Sequence, residues 1–257
     1  AGPLSKILKF TGLNTIVGLL GVALLAPIAI VGAVATGVGI SVFDNLPPYI
    51  KPVTASQAST LYALDDTGKP VEVARFYEEN RISVAYGDIS SNFRDAAIAT
   101  EDPNFLNHNG VDTISLLRAT LTNVATGGSG PGGSTITMQY VKNSLVAAAV
   151  ASGDKEAQAA AIQGGLAGLD RKVREIRMAI ALEKISTKKD ILAGYLNLAF
   201  FGNQINGLEA AANYYFGVHA SQLDIPQAAL LAGMLKSPND YKPDDPANLE
   251  RAKSRRD

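Results

Sequence analysis

Cysteine and tryptophan are absent from this chain of 257 residues, and histidine occurs only twice. Without thiols there is no disulfide scaffold, no thiolate metal site and no cysteine nucleophile; the same absence fits either a cytosolic or an exported chain. An excess of one charge is missing too: 23 Lys and Arg against 24 Asp and Glu leave a net charge of −1 and a pI near 6.2. No global field draws nucleic acid, so no nucleic-acid partner is expected, and anion-binding chemistry has to come from local basic clusters. One such cluster exists, since seven of the 23 basic residues fall between Arg171 and Lys189.

Charge is also missing from Phe10 to Phe43, where the centre of the run is mostly Val, Ala, Leu, Gly and Ile. A bilayer core needs roughly 20 apolar residues, so the run is long enough to span with some tilt. The apolar region of a cleaved signal peptide is only about 7–15 residues long, which argues against removal. A buried core helix is the bland alternative, but apolarity all round the helix favours lipid. Pro27 is better tolerated in a membrane helix than in a soluble one. Lys6 and Lys9 before the span and Asp44 after it favour an inside N-terminus, with everything beyond Phe43 outside. The chain starts without methionine, so a truncated tail is expected. The reading is a tail over 1–11, a transmembrane helix over 12–43, a neck over 44–85 and a helical domain over 86–257.

In the neck, Ser59 to Leu64 and Val71 to Tyr77 are β-prone runs joined through Asp65-Asp66-Thr67-Gly68, which predicts a hairpin. From Ser91 the pattern turns helical. Pro103 pushes Asp102 out of the helical region, so the helix carrying Phe93, Ala96, Ala97 and Ile98 should stop near Glu101. Val111 to Val124 is a second helix, and Ser134 or Thr135 caps a third running towards Val150. Residues 151–169, rich in alanine with Gly153, Gly164, Gly165 and Gly168, lack a helical stripe and are expected to form a mobile flap. Asp170 is expected to cap a helix from Arg171 to about Ile185. Thr187-Lys188-Lys189-Asp190 resembles a capping box opening another through Leu198. A last pair covers Gly207 to Tyr215 and Pro226 to Lys236, with Leu230, Leu231 and Met234 as the buried stripe of the latter.

Glu101 is the sharpest chemical candidate, because a carboxylate at a helix C-terminus faces the negative end of the dipole, which favours taking up a proton. A surface Glu beside a turn is the more common case on position alone. Asp102 is more readily a structural acceptor for backbone N–H groups than a second base, and His108 near Gly110 a hydrogen-bonded brace. Gly132-Gly133-Ser134-Thr135 at a helix start offers N–H groups to an anion, though it is also an ordinary capped helix. Lys142 can share a side with Thr135 and Gln139. Arg171 and Lys172 in a first helical turn oppose the macrodipole, at about 0.3–1 kcal/mol each when exposed, so something anionic should offset them. Glu175 has three open roles: an i,i+4 partner of Arg171, a ligand of a divalent cation, or a positioner of the basic pair around a diphosphate.

Taken together these segments resemble the family 51 glycosyltransferases, the peptidoglycan-polymerising domain of class A penicillin-binding proteins and monofunctional transglycosylases. The resemblance runs in order through Glu101-Asp102-Pro103-Asn104-Phe105 to Gly110-Val111-Asp112, Gly133-Ser134-Thr135-Ile136-Thr137-Met138-Gln139, and Arg171-Lys172-Val173-Arg174-Glu175 to Leu182-Glu183. It continues through Ile191-Leu192 to Tyr195-Leu196-Asn197, and Tyr215-Phe216-Gly217 to Leu230-Leu231-Ala232-Gly233.

The resemblance implies a mainly α, lysozyme-like domain that polymerises lipid II with inversion and releases undecaprenyl diphosphate. It would work outside the bacterial cytoplasmic membrane, anchored by a single pass and sensitive to moenomycin. Glu101 would deprotonate the acceptor 4-hydroxyl, and Lys142, Arg171 and Lys172 would hold the diphosphate. Glu175 would orient them or bind magnesium or manganese, and Ser134, Thr135 and Gln139 would line the donor side. Asp102, Phe105, His108, Gly110, Asp112 and Asn197 would give structural support. Partners implied are lipid II, the growing glycan strand, the membrane and cell-wall regulatory proteins.

Two departures stand out. Met138 replaces a frequent Gln, removing one amide from the site, and Gln227 replaces a frequent Glu, a structural change. No Ser-x-x-Lys motif followed by a transpeptidase domain is present, so β-lactam binding is not expected; a fragment of a two-domain protein is expected, with a monofunctional enzyme that has lost its tail as the alternative. A lysozyme-like hydrolase using Glu101 as acid, and a non-catalytic wall-binding scaffold, are the rival readings.

Overall fold

The computed structural model describes residues 59–64, 67–76, 82–126, 132–162 and 169–257. The expected membrane span over 12–43 lies outside them, as do its tail, the proline-rich stretch that follows it and residues 65–66 of the hairpin turn. Among the described residues no helix is long and apolar enough to cross a membrane.

The neck forms a two-stranded antiparallel hairpin, β1 (Ser59–Leu64) with β2 (Pro70–Phe76). Leu61 pairs with Ala74 and Tyr62 with Glu72, so Val73 is the extra residue of a bulge. A 3₁₀ turn at Tyr86–Asp88 leads into α1 (Ser91–Glu101), whose helix ends where Pro103 requires. Asp102 leaves it in an extended conformation, at φ −157° and ψ 76°. Phe93 and Ala97 are its buried positions, and Ala96 and Ile98 are half-buried.

The described residues fall into two compact units, 112–126 with 132–134 in one and the remainder in the other. In the smaller, Asp112 caps α2 (Thr113–Ala125), its carboxylate accepting from the amides of Ile114 and Ser115 at 3.1 Å each. Gly133 runs close beside α2: a Cβ there would lie 2.9 Å from Ala119 Cβ. Ile114, Leu117 and Leu121, at helical spacing, are exposed.

The larger unit continues with α3 (Ile136–Ser152), which starts at an N-cap Thr135. Gly153 then adopts a left-handed conformation, φ 70°, which a residue with a Cβ adopts only with strain. The Asp154 carboxylate accepts from the Ala157 amide at 2.9 Å and starts α4 (Lys155–Ile162). The expected flap is therefore helical over 151–152 and 155–162, and Gln158 ties α4 back to the Ala149 carbonyl at 3.2 Å. Alanine supplies helix propensity even where no apolar stripe is visible. Residues 163–168 lie outside the described residues.

Next comes α5 (Leu169–Glu183), which begins two residues ahead of the expected start, so that Asp170 lies within its first turn. The Thr187 capping box forms as expected and opens α6 (Lys188–Leu198). The final elements are α7 (Leu208–Phe216), α8 (Ile225–Met234) and α9 (Leu249–Arg256). Gln227 completes a capping box with Asp224, the structural role expected of it. Leu231 and Met234 are fully buried, while Leu230 is half-buried. α6 packs on α3 and α8 on α1, around Phe93, Phe105, Ile136, Leu192, Tyr195 and Phe201. The result is a mainly helical domain with a small sheet at one end of its sequence.

Candidate active site

Glu101 is the last residue of α1 and is half-buried. Its Oε2 accepts from the Gln139 side-chain amide at 2.9 Å, and the Gln139 carbonyl oxygen accepts from the Tyr195 hydroxyl at 3.1 Å. Three helices, α1, α3 and α6, therefore meet at one carboxylate. Tyr195 is buried, and burial, together with the Glu101 charge, pushes its phenol well above its ordinary value, so the hydroxyl stays a donor.

Asp102 turns away from this line. Its Oδ2 accepts from the backbone amide of Ile136 at 2.9 Å and from His108 Nε2 at the same distance. His108 Nδ1 accepts from the Gly110 amide at 3.1 Å, which places the ring proton on Nε2, facing Asp102. Both side chains are thus engaged within the fold, Asp102 at the start of α3 and His108 between Asp102 and Gly110. Gly110 needs its φ of 94°, and a Cβ there would lie 2.8 Å from the Ala179 carbonyl carbon. Phe105 is fully buried, with Lys188 Nζ 4.5 Å from its ring centroid. Asn197 exchanges two hydrogen bonds with Val84, at 3.0 and 2.9 Å, and pins the segment before the 3₁₀ turn to the end of α6.

Two amides at the α3 start are already engaged within the fold. The Ile136 amide is taken by Asp102, and the Met138 amide by the Thr135 hydroxyl at 3.2 Å. Thr135 is itself buried, and its hydroxyl donates to the Gly110 carbonyl at 2.6 Å, so its role is to hold the helix entry. Ser134, the preceding residue, belongs to the smaller unit, as does Asp112. Met138 is fully buried, so the expectation that it removes an amide from the site is corrected: at this position the side chain faces the core, while its neighbour Gln139 reaches Glu101.

The basic cluster gathers around Glu175, which is 1% exposed. Its Oε1 pairs with Arg171 and its Oε2 lies 3.3 Å from Lys172 Nζ. Burial lowers the Lys172 ammonium from its ordinary value, Glu175 pulls it back up, and the Arg171 and Lys142 charges push it further down. Lys142, exposed on α3, therefore lies within electrostatic reach of Lys172. Of the three roles open to Glu175, the i,i+4 pairing with Arg171 is present, with Lys172 at the other carboxylate oxygen. A resident divalent cation does not fit, because Arg171 and Lys172 engage both carboxylate oxygens. Among the described residues no group of three or more His, Asp or Glu could hold a metal ion.

Sequence reasoning gave no separate role to a second network beneath the site. Lys188 donates to the His108 carbonyl at 2.6 Å and to Glu183 Oε1 at 2.7 Å, and Thr137 donates to the same Glu183 oxygen at 2.6 Å. The local signal was the pair Lys188 and Lys189 in the first turn of α6, where cations oppose the helix dipole and only Asp190 stands against them.

A half-buried carboxylate held by an amide, and in the same compact unit a set of cations around one buried acid, suit group transfer that expels an anionic leaving group. A model of the transglycosylase family matches residues 68–257. Penicillin-binding protein 1A of Streptococcus oralis is 35% identical over 191 residues, 74% of this chain and 27% of that protein. Penicillin-binding protein 1A/1B of Bacillus subtilis is 38% identical over 200 residues, 77% of this chain and 19% of that protein. Penicillin-binding protein 1A of Mycobacterium tuberculosis is 35% identical over 193 residues, 74% and 21% respectively. The chain belongs to the transglycosylase family, and the matched residues are a peptidoglycan glycosyltransferase domain. It spans about a quarter or less of the length of these relatives.

Proposed function

We propose that the chain polymerises lipid II into β-1,4-linked glycan strands, with inversion and release of undecaprenyl diphosphate. The single observation that carries this reading is that one compact unit holds both a carboxylate fixed by an amide, Glu101, and a separate cationic group, in which Glu175 pairs with Arg171 and Lys172 and Lys142 lies within electrostatic reach of Lys172. In the proposed step the acceptor's 4-hydroxyl oxygen forms a bond to the donor's anomeric carbon. The hydroxyl proton passes to Glu101, and the bond from that carbon to the diphosphate oxygen breaks with its electron pair. The leaving diphosphate then needs no proton, because cations stabilise its charge. An acid and a nucleophile about 5–5.5 Å apart, the pattern of a retaining hydrolase, are not required.

Gln139 and Ser134 are assigned to the donor side, with Thr135 holding the helix entry. Asp102, His108, Gly110, Asp112 and Asn197 support the frame. The domain is placed outside the cytoplasmic membrane, anchored by the apolar run over 12–43; the exposed Ile114, Leu117 and Leu121 of α2 are consistent with work at a lipid surface. Cell-wall regulatory proteins are the further partners we assign. The test is incubation of the full chain in detergent with labelled lipid II, beside Glu101→Gln. Polymer from the wild type and none from the folded variant supports the reading. Release of reducing ends from preformed glycan, with no polymer from lipid II, overturns it in favour of a hydrolase.

A further inference from the structure

The Glu101 side chain is held by an amide that could face either way. Gln139 presents an NH₂ from one end and a carbonyl oxygen from the other, two groups of nearly the same shape. Only one orientation gives Glu101 a donor. In the other, the carbonyl oxygen would face a carboxylate, and neither oxygen carries a proton to share.

We propose that Tyr195 is a positioning residue for the transfer reaction: its hydroxyl fixes the Gln139 amide so that the NH₂ faces Glu101 Oε2 and the other carboxylate oxygen is kept for the acceptor proton. This rests on the reading of Glu101 as the base. Tyr195 Oη lies 3.1 Å from Gln139 Oε1, and Gln139 Nε2 lies 2.9 Å from Glu101 Oε2, so the line is continuous. Tyr195 is 2% exposed, so its hydroxyl is largely shielded from bulk solvent. A phenol so placed keeps its proton, and the acceptor that proton reaches is the carbonyl end of the Gln139 amide. The orientation of Gln139 follows, and with it the donor to Glu101. The neighbouring rung between the same two helices fixes the register. Gly194 approaches the Tyr140 ring so closely that a Cβ would lie 2.3 Å from its Cζ. Tyr140 follows Gln139 on α3 and Gly194 precedes Tyr195 on α6, so the two contacts set the spacing at which hydroxyl and amide meet.

The chemical consequence concerns protonation and turnover, more than binding. A hydrogen bond donated to a carboxylate favours its ionised form. Freed from Tyr195, Gln139 can turn its oxygen towards Glu101, which then favours the protonated acid. The base is lost at a pH where the wild type still holds it.

The experiment compares wild type and Tyr195→Phe as full chains, by lipid II polymerisation across pH and by ¹³C NMR of the Glu101 carboxyl. The expected result is a loss of about tenfold in kcat, with KM within about twofold and an acid limb moved to higher pH. The Glu101 carboxyl should titrate at higher pH in the variant. A Phe variant whose carboxyl titration matches wild type overturns the inference, whatever its activity. If wild type makes no polymer, the reading of the chain as a lipid II polymerase fails, and the NMR comparison still decides the role of Tyr195. A variant with lower thermal stability but an unmoved titration shows packing alone and also overturns the inference.

Discussion

The Asp102 carboxylate lies 2.9 Å from the amide of Ile136, the first residue of α3, and so a residue just past one helix caps the start of another 34 positions away. The charge sits at the positive end of the α3 dipole, and the same oxygen holds His108. Asp102→Asn keeps the shape and loses the charge. It should cost about 1–3 kcal/mol of unfolding free energy, read by urea denaturation. Because α3 carries Gln139, turnover should fall with it, and Asp102→Ala should be more severe in both measurements.

Glu101→Gln preserves the size of the side chain and removes the proposed base. General-base catalysis typically contributes a factor of about 10² to 10⁴, so polymerisation should drop by at least about a hundredfold. Thermal unfolding should stay close to wild type, since the half-buried end of α1 can place an amide there. Retention of more than a third of wild-type turnover would assign the base elsewhere.

Lys172 gives a pH dependence with a defined sign. Its charged form is disfavoured in the folded chain, first by burial, so folding carries a penalty while both states are protonated. That penalty is present below the lowered folded value and disappears as pH rises from there to the ordinary value of 10.5. Lys172→Met should therefore raise the midpoint of thermal unfolding slightly at pH 7 and have a smaller effect above pH 10.5. Binding of inorganic pyrophosphate should run the other way, weakening as pH rises through the lowered value. Lys172→Arg, which stays charged, should hold its affinity over that range; titration calorimetry at stepped pH reads both.

Gly194→Ala introduces a methyl group into the Tyr140 ring, at 2.3 Å from Cζ and 2.5 Å from the hydroxyl. The clash is with the far end of a side chain, so the ring has to move or α6 has to shift. A cost of about 1–3 kcal/mol is expected, with reduced turnover through Tyr195. Adding Tyr140→Leu should recover most of the loss, and a double variant no better than the single one would show that Tyr140 is not the obstacle.

Legibility in the sequence followed the range of the interaction. Pro103 acts on its immediate neighbour, so the end of α1, the extended Asp102 and the Glu101 position were readable, as was the four-residue capping box from Thr187 to Asp190. The hairpin register was not, because the bulge at Val73 is a property of the pair of strands. α4 was missed because its start depends on Asp154 and its docking on Gln158, while the alanine-rich sequence shows no stripe. In the site, the family motifs named Glu101, Gln139 and Glu175, but the sequence could not show that Thr135 and Met138 point inward or that Tyr195 reaches Gln139. Those facts depend on contacts between α3 and residues 25 to 56 positions away. The Lys188 to His108 link, across 80 positions, is harder still to read.

The reciprocal pair between Val84 and Asn197 gives the neck a mechanical meaning. Two hydrogen bonds clip the chain at residue 84 to the last turn of α6, two residues beyond Tyr195. The entry to the helical domain and the helix that presents Tyr195 to Gln139 are thereby fastened at one place, so loss of the Asn197 amide would loosen both together.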